Sequence, residues 1–388
     1  MVKGDADSAG RRRRDFAIGL ALWLLPLAVV GVMVARDSSR RSVTPVFHLA
    51  SERWWARSDL YADPRGYHYL PQFALLFAPF HALPKPVGDV LWRGVSVGLV
   101  LWGLAAFLRR TAPDEPGRRF LVACALALAP CLGAVRNGQT NLAFAGLCML
   151  LAAMLAAERP GASAICLVAL IALKPLGLVL VLLAPWVYRR VLVPLVFGVT
   201  AFAALPFAVA PVDYAAAMYR GAWTHVSGWS VTTESRFADL TALLRTAGWT
   251  LSATASLALR AAAGLATLLL WWRAASRTRE PWRALTLVLL GTIYLMLFNP
   301  MTEKNSYAIV APAFAVAAAV FLERPETRRA GNALAFVLVS VGVLPELLWR
   351  LTRNFGLWWD PLTVLAVAIA LAATILRRGD AFAAVAAA

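Results

Sequence analysis

The chain has 388 residues, of which 60% are hydrophobic and 15% charged, and its formal net charge is +17. A soluble domain carries roughly 25% charged residues, so the composition excludes an ordinary soluble domain, and its apolar content excludes disorder. The basic residues stand in ones and twos at the ends of apolar runs, which argues against nucleic-acid binding and is typical of charges that set membrane topology.

The N-terminus joins a run of four arginines at 11–14 to an apolar run that ends near residue 35. It resembles a signal peptide, but an apolar run of about 19 residues is longer than a usual signal-peptide core, and no A-x-A cleavage site follows. The sequence therefore predicts a basic cytoplasmic tail at 1–15 and an uncleaved first membrane helix after it.

At roughly 20 apolar residues per crossing, the sequence predicts an all-α integral membrane protein with about twelve transmembrane helices. They are predicted near 16–35, 88–108, 120–136, 139–157, 161–173, 175–188, 191–210, 248–272, 282–298, 306–322, 330–349 and 359–376. Within 161–188, Lys174-Pro175 interrupts the apolar run, and two short helices are expected to meet there because proline disfavours helix before it. Residues 16–378 are predicted to form one domain, followed by a cytoplasmic tail at 379–388.

The short basic loops fix a predicted orientation. With the N-terminus in the cytoplasm, all of them fall on the inner side, as the positive-inside rule requires. Arg36, Arg40 and Arg41 are exceptions, because they follow the first helix on the outer side. They belong to a long loop, where the rule is weaker, and they also invite a functional interpretation. The predicted location is the plasma membrane, with both termini cytoplasmic and the active face outside.

Two long loops are predicted on the outer face. The first spans 36–87, and its stretch 70–84 is apolar but too short to cross the membrane. We expect that stretch to form a helix lying in the membrane interface. The second loop, 211–247, is long enough to fold over the same face.

Polar segments from distant parts of the chain are predicted to meet on this face. Besides the first loop they are RNGQTN at 136–141, LKPLG at 173–177 and FNPMTEKNSY at 298–307. Polar groups gathered at the ends of several helices predict a site, whereas unrelated loops would be scattered over both faces.

In the RNGQTN segment, Asn137 and its neighbouring glycine suit a simple turn. Alternatively, Gln139 and Asn141 point their amides into a cavity in which Arg136 holds an anion. Lys174 either extends to the outer interface or binds a phosphate beside the broken helix.

Glu303, Lys304 and Asn305 form either a hydrated loop with a local Glu–Lys pair or one wall of a site. In the second case Glu303 accepts a sugar hydroxyl or acts as a base.

In the first loop, Glu52 and Asp59 are candidates to face the site as base or sugar contact. Tyr61, His68 and Tyr69 are either interface anchors or substrate contacts. Two further charges, Arg260 and Glu346, fall inside predicted spans and therefore need partners.

Several chemistries have no support in the sequence. The four cysteines lie in apolar spans without CxxC spacing, so neither a metal site nor a disulfide framework is indicated. No HExxH, P-loop or GxGxxG occurs, so metal-dependent hydrolysis and use of cytosolic nucleotides are not indicated. No metal or cofactor is expected. A reaction on the outer face would draw on a donor carried in the lipid, such as a sugar on a polyprenyl phosphate.

Six blocks in order along the chain, between about 43 and 315, carry a resemblance to glycosyltransferase family 87. They are SDLYADPRGYHYLPQFALLFAPFHALP, LWR, NGQTNLAFAGL, IALKPLGLVLVLL, LPFAVAPVDY and YLMLFNPMTEKNSYAIVAPAF. That family comprises multi-span enzymes related to polyprenol-phosphate-mannose-dependent mannosyltransferases.

The resemblance implies a GT-C architecture, in which helices surround a cavity that opens outward and the first outer loop carries interfacial helices. It implies inverting transfer of a hexose, mannose above all, from a polyprenyl-phosphate sugar to an envelope lipid or glycan. A carboxylate would take the acceptor proton, and cations would offset the charge on the phosphate. The candidate cations are Arg40, Arg41, Arg136 and Lys174.

One departure from the family matters. Mannosyltransferase members carry an Asp soon after the first helix, where this chain has Val43-Thr44-Pro45, and the family's histidine falls near Asn305. Either the base has moved, with Glu303, Asp59 and Glu52 as the candidates, or the chain belongs to a branch with altered chemistry. A multi-span secondary transporter or a lipid flippase is the alternative function, although no convincing internal repeat supports it. A non-catalytic membrane scaffold is a third.

Overall fold

The structure is a computed structural model that describes residues 2–39, 41–63, 66–111, 116–229, 237–348, 350–352, 354–380 and 382. These residues form sixteen α-helices joined by 3₁₀ helices and turns, and no β-strand occurs among them, so the predicted all-helical class is confirmed. The helices are α1 (Val2–Arg36), α2 (Thr44–Trp55), α3 (Pro71–His81), α4 (Lys85–Thr111), α5 (Pro116–Asn137), α6 (Thr140–Ala156), α7 (Pro160–Leu173), α8 (Leu178–Leu183), α9 (Leu192–Val209), α10 (Val212–Trp229), α11 (Leu240–Thr246), α12 (Ala253–Ala275), α13 (Trp282–Phe298), α14 (Ala311–Leu322), α15 (Arg328–Leu348) and α16 (Phe355–Arg378).

Helices occupy each of the predicted apolar segments, and seven in the described residues are long and apolar enough to cross a membrane. These seven are Gly10–Arg36, Lys85–Thr111, Gly117–Asn137, Arg189–Val209, Ala253–Ala275, Arg328–Leu348 and Phe355–Arg378. They indicate a multi-pass membrane protein. The remaining segments form shorter apolar helices, so twelve crossings stay a prediction.

The shorter helices form the centre of the bundle. Helices α6 and α13 have 17 residues each and α14 has 12, and all three are buried along most of their length. Seventeen residues span about 25 Å, which is less than the roughly 30 Å of the hydrocarbon core. Polar residues at the ends of these helices therefore lie inside the bundle, as the burial of Gln139 and Asn141 at the start of α6 shows.

Two glycines bring α4 and α6 into backbone contact. A Cβ added to Gly146 would lie 2.4 Å from the carbonyl carbon of Leu99, and one added to Gly103 would lie 2.6 Å from the carbonyl oxygen of Gly146. Small residues permit such close approach of membrane helices. The start of α6 is thereby held at a fixed position against α4.

The predicted first outer loop contains two helices where one was expected. Helix α3 coincides with the predicted 70–84 segment, and its place in a membrane interface stays a prediction. Helix α2 was not predicted; it begins with a proline in its first turn and buries Phe47, Ala50 and Trp54. Such a short amphipathic segment has no hydropathy signal of its own, because only one face is apolar.

An aromatic cluster holds this loop on α4. The Phe47 ring lies 4.9 Å from Phe73 and 6.3 Å from Trp92, and Phe77 lies 5.7 Å from Trp92. Edge-to-face pairs at these distances are favourable. The cluster therefore fixes α2 and α3 beside the residues that support the site.

The second outer loop also contains helices that were not predicted, α10 and α11. Helix α11 begins after Asp239, whose carboxylate accepts the amide of Ala242 at 2.9 Å. At the N-terminus, α1 is helical from Val2 onward, so the segment predicted as a tail continues the first helix. The division into one domain and two tails is otherwise still a prediction.

Candidate functional site

A chain of hydrogen bonds joins a cation to a carboxylate at one end of the bundle. The Lys174 ammonium donates to Asn141 Oδ1 at 2.6 Å, and Asn141 Nδ2 donates to Gln139 Oε1 at 2.8 Å. Gln139 Nε2 then donates to Glu303 Oε2 at 3.0 Å. We call these four residues the Glu303–Lys174 network.

Each member of the network stands at a helix end. Gln139 immediately precedes α6, and Asn141 lies in its first turn. Lys174 follows α7 in an extended conformation, because the next residue is a proline. The amide of Asn141 also donates to the carbonyl of Asn305 at 3.1 Å, which ties α6 to the 303–305 segment.

Glu303 is held by a capping box at the start of the 3₁₀ helix Lys304–Ile309. Its carboxylate accepts the backbone amide of Ser306, and the Ser306 hydroxyl accepts the amide of Glu303 at 3.2 Å. This reciprocal arrangement satisfies two otherwise unpaired donors. The capping box therefore fixes the carboxylate in place, and its Oε2 accepts the hydrogen bond from Gln139 Nε2.

The network is largely removed from solvent. Asn141 is 1% exposed and Gln139 8%, whereas Lys174 and Glu303 are half-buried. Desolvation lowers the pKa of the Lys174 ammonium to about 8, although the Glu303 carboxylate acts in the opposite direction. Burial raises the pKa of Tyr69, and the Glu303 carboxylate contributes to that rise. Tyr69 therefore lies close to the network as a neutral phenol.

Arg93, on α4, holds the turn between α5 and α6 that leads into the network. It is 1% exposed and donates to the carbonyls of Val135 and Arg136 at 3.1 Å each. It also donates to Ser42 Oγ and to the carbonyl of Asp89, both at 2.9 Å. The last carbonyls of α5 have no partner within that helix, so this buried guanidinium satisfies them and fixes the turn into α6.

The turn itself requires glycine. Gly138 has φ +72°, and a Cβ there would lie 2.9 Å from the Arg93 guanidinium and from the Thr44 methyl group. Trp92 Nε1 donates to the carbonyl of Gly138 at 2.8 Å. The LWR and NGQTN blocks are therefore in direct contact, and together they position Gln139.

A cavity of about 320 Å³ lies between α5, α15 and the 304–305 segment. Its polar and charged lining consists of Arg41, Arg136, Asn137, Lys304, Asn305 and Glu346. Arg136 Nε and Asn137 Oδ1 are buried and lack a hydrogen-bond partner among the described residues. The Lys304 ammonium pairs with the Glu346 carboxylate, so Lys304 and Glu303 are not a local pair. Glu346 thus has the partner that its place in a predicted span required.

The other predicted site residues lie away from these hydrogen bonds. Asp59 is exposed and accepts the amide of Tyr61 at 2.9 Å, while the Tyr61 hydroxyl donates to the carbonyl of Tyr69 at 2.8 Å. His68 stacks on His225 with ring centroids 4.8 Å apart.

Glu52 is exposed on α2, and its carboxylate acts electrostatically on His81. Neither Glu52 nor Asp59 hydrogen-bonds to the network within the described part of the chain. Arg40 lies outside the described residues.

Sequence reasoning missed several buried ionisable side chains. His48 Nε2 lies 3.0 Å from Asp89 Oδ1, and both side chains are buried. Asp360, on α16, is fully buried, and neither of its carboxylate oxygens has a hydrogen-bond partner in the part of the chain described. Asp89, Arg93 and Asp360 all fall inside predicted spans, so the rule that intramembrane charges need partners was the signal that could have found them.

The bundle and its site define a multi-pass helical membrane protein with a carboxylate and an ammonium joined in one buried polar network. The sequence model of glycosyltransferase family 87 matches residues 67–300. This is more than half of the chain, and the protein belongs to that family, so glycosyltransferase activity is what its membership implies. No curated protein matches the chain closely enough to count as a relative. The matched region includes Tyr69, Gln139, Asn141 and Lys174 and ends just before Glu303.

Proposed function

We propose that the protein transfers a hexose, mannose in the first instance, from a polyprenyl-phosphate sugar to a hydroxyl of an envelope lipid or glycan. The reaction takes place on the outer face of the plasma membrane, in a GT-C-type bundle, with inversion. The observation that carries the proposal is the hydrogen-bonded connection between Glu303 and Lys174, because glycosyl transfer needs a base and a cation at one site. Family membership supports the class of reaction and does not favour a transporter or a flippase.

In the proposed reaction the acceptor oxygen attacks the anomeric carbon of the sugar. A glycosidic bond forms, the bond from the anomeric carbon to the phosphate oxygen breaks, and the electron pair leaves on the polyprenyl phosphate. Glu303 takes the acceptor proton as general base. Lys174 offsets the charge that develops on the phosphate. No metal ion or cofactor takes part in the proposed steps.

The remaining predicted residues have proposed binding roles. Arg136 and the sequence neighbours Arg40 and Arg41 are proposed to hold phosphate oxygens, since guanidinium groups bind such anions bidentately. Sugar and acceptor hydroxyls are proposed to contact Gln139, Asn141, Asn305, Lys304, Tyr61, His68 and Tyr69. The capping box favours Glu303 over Asp59 and Glu52 as the base, because it holds that carboxylate rigidly within the network.

The test is a transfer assay with purified protein, radiolabelled polyprenyl-phosphate mannose and envelope lipids or glycans as acceptors. We expect label to move to the acceptor fraction. Glu303→Gln should lower turnover about 10³-fold, within the usual range for loss of a general base, while donor binding stays close to that of the wild type. Asp213→Asn, which removes an exposed carboxylate at the start of α10, is the matched control and should leave transfer unchanged.

Two outcomes would contradict the proposal at different levels. Normal turnover of Glu303→Gln would remove Glu303 as the base and leave Asp59 and Glu52 as the residues to test next. No transfer from any polyprenyl-phosphate sugar, together with saturable counterflow in vesicles, would reject the transferase itself.

A further inference from the structure

The opposite end of the same helices carries a second polar cavity. Helix α6 ends there, and α7 and α13 begin there, whereas their other ends lie at the Glu303–Lys174 network. The 14 residues of α7 separate the two ends by about 21 Å at 1.5 Å per residue. The cavity has a volume of about 390 Å³, and its charged lining residues are Glu158, Arg159, Arg189, Arg190, Glu280 and Arg283.

The lining of this cavity is cationic. It has four arginines and two glutamates, which leaves a net charge of +2. Glu280 is already engaged, because its carboxylate accepts the Tyr188 hydroxyl at 2.7 Å and lies 3.9 Å from Arg283 Nε. Arg283 Nε also donates to the carbonyl of Thr278 at 2.8 Å. This half of the lining is therefore satisfied by the protein itself.

The other three arginines, Arg159, Arg189 and Arg190, are exposed. Their guanidinium groups make no hydrogen bond or ion pair with any residue that the structure describes. The N-terminus of α7, which begins at Pro160, adds the positive end of a helix dipole to the same cavity. An anion with several oxygens, such as a phosphate, fits this arrangement of donors.

An apolar groove meets this cavity at Arg189. The groove runs between α8 and α9, has a volume of about 720 Å³, and its lining includes Leu182, Trp186, Arg189 and Val196. Leu182 and Trp186 are each 63% exposed, and Val196 is 56% exposed. Arg189 therefore lines both spaces, so one ligand with a charged head and an apolar chain can occupy them together.

We propose that an anionic phospholipid binds at this place, with its phosphate on Arg159, Arg189 and Arg190 and an acyl chain in the groove between α8 and α9. A soluble anion would use the arginines but not the groove, and a zwitterionic lipid would use the groove but bring no net charge to complement the arginines. The sequence predicts this end to be cytoplasmic, where anionic lipids attract basic segments. The lipid would join the start of α7 to the start of α9, beside the 3₁₀ helices that connect α8 to α9.

The test uses the full-length protein in detergent, with dioleoyl phosphatidylglycerol and dioleoyl phosphatidylcholine as probes. Binding is counted by native mass spectrometry, and the unfolding temperature is followed in parallel. Phosphatidylglycerol should bind and raise the unfolding temperature of the wild type, whereas phosphatidylcholine should do neither. The double variant Arg189→Gln/Arg190→Gln should bind phosphatidylglycerol about 30-fold more weakly, given typical contributions of basic residues near anionic lipid.

The double variant Arg109→Gln/Arg110→Gln is the matched control. It removes two exposed arginines at the end of α4 that line neither the cavity nor the groove, and its lipid binding should equal that of the wild type. Equal loss in both double variants, or binding of phosphatidylcholine as tight as that of phosphatidylglycerol, would overturn the proposal.

A third variant separates a lipid from a soluble phosphate. Val196→Trp fills the groove at an exposed position, so it should weaken phosphatidylglycerol about tenfold, close to the loss of two buried methylenes. The same substitution should leave binding of glycerol 3-phosphate unchanged, and that ligand should bind far more weakly than the lipid. Glycerol 3-phosphate binding as tightly as the lipid, with no effect of Val196→Trp, would show a soluble-anion site and reject the lipid.

Discussion

The charged side chains at the two ends of α6, α7 and α13 differ in burial and in whether they have partners. At the Glu303 end, a cation and a carboxylate are joined through two amides, and the connecting side chains are buried. At the arginine end, three guanidinium groups are exposed and have no partner within the described residues. The first end is organised by the protein alone, whereas the second presents positive charge that only another molecule can neutralise.

This difference has an energetic consequence. A buried polar group that loses its partner costs about 1–3 kcal/mol, so the members of the Glu303–Lys174 network depend on one another. Exposed charges are screened by salt over about 10 Å at 0.1 M ionic strength, and each contributes little to the fold. Substitutions that remove a positive charge should therefore have very unequal effects at the two ends.

The largest effect is expected from Lys174→Met. It removes the cation proposed to face the phosphate and leaves Asn141 Oδ1 without its donor, so transfer should fall about 10²-fold or more. Arg109→Met removes an exposed cation at the arginine end and should change transfer less than about twofold. Initial rates at saturating donor give the comparison. Similar losses in the two variants would mean that charge acts on catalysis only through the overall field of the protein.

A smaller effect is expected from a substitution at Gly138, in the turn between α5 and α6 that Arg93 contacts. Gly138→Ala forces a side chain into a left-handed conformation against Arg93, which should cost about 1–3 kcal/mol and lower transfer by displacing Gln139. Gly94→Ala is the control, because a Cβ at that helical position meets nothing within 4 Å and alanine favours helix. Thermal unfolding in detergent should separate the two variants. Equal unfolding temperatures would show that the turn is not constrained by Arg93.

The smallest effect is the pH dependence at Lys174. Its pKa is lowered to about 8, so the ammonium is charged below that pH and loses its proton as the pH rises through it. At pH 9 about a tenth of the molecules keep the charge, and kcat/KM, which reports the free enzyme, should fall about tenfold from its value at pH 7.

Lys174→Arg sharpens this measurement, because a guanidinium stays protonated across the whole range. The variant should lose the decline above pH 8, whatever its absolute rate. Parallel profiles for the wild type and Lys174→Arg would assign the decline to another group.

The helices of the bundle and the meeting of its polar segments could be read from the sequence. Hydropathy located α1, α3 and the helices from α4 to α16 except α10 and α11, and the Lys174-Pro175 break followed from the backbone of proline alone. Orientation then predicted that RNGQTN, LKPLG and the 298–307 segment lie together, and the structure joins Gln139, Lys174 and Glu303 by hydrogen bonds. These are features that chain order and membrane geometry determine.

The partners of individual side chains could not be predicted. Lys304 pairs with Glu346 on a distant helix and not with its neighbour Glu303, because the 3₁₀ helix turns adjacent residues in different directions. In the sequence, Arg93 is only a charged residue within a predicted span. Its role, donation to the last carbonyls of α5, arises because the end of α5 lies beside it in the fold. Helix α2 is stabilised by aromatic packing on α3 and α4, so no local signal marks it.

The glycine contact between α4 and α6 decides which parts of the enzyme can move. Backbones that touch at Gly103 and Gly146 leave no space for sliding, so the two helices carry Arg93 and Asn141 as a single rigid body. Admission of the proposed lipid-linked donor must therefore be accommodated elsewhere. Two elements reach the network without belonging to this body: the broken α7–α8 segment with Lys174 and the 3₁₀ segment that follows Glu303.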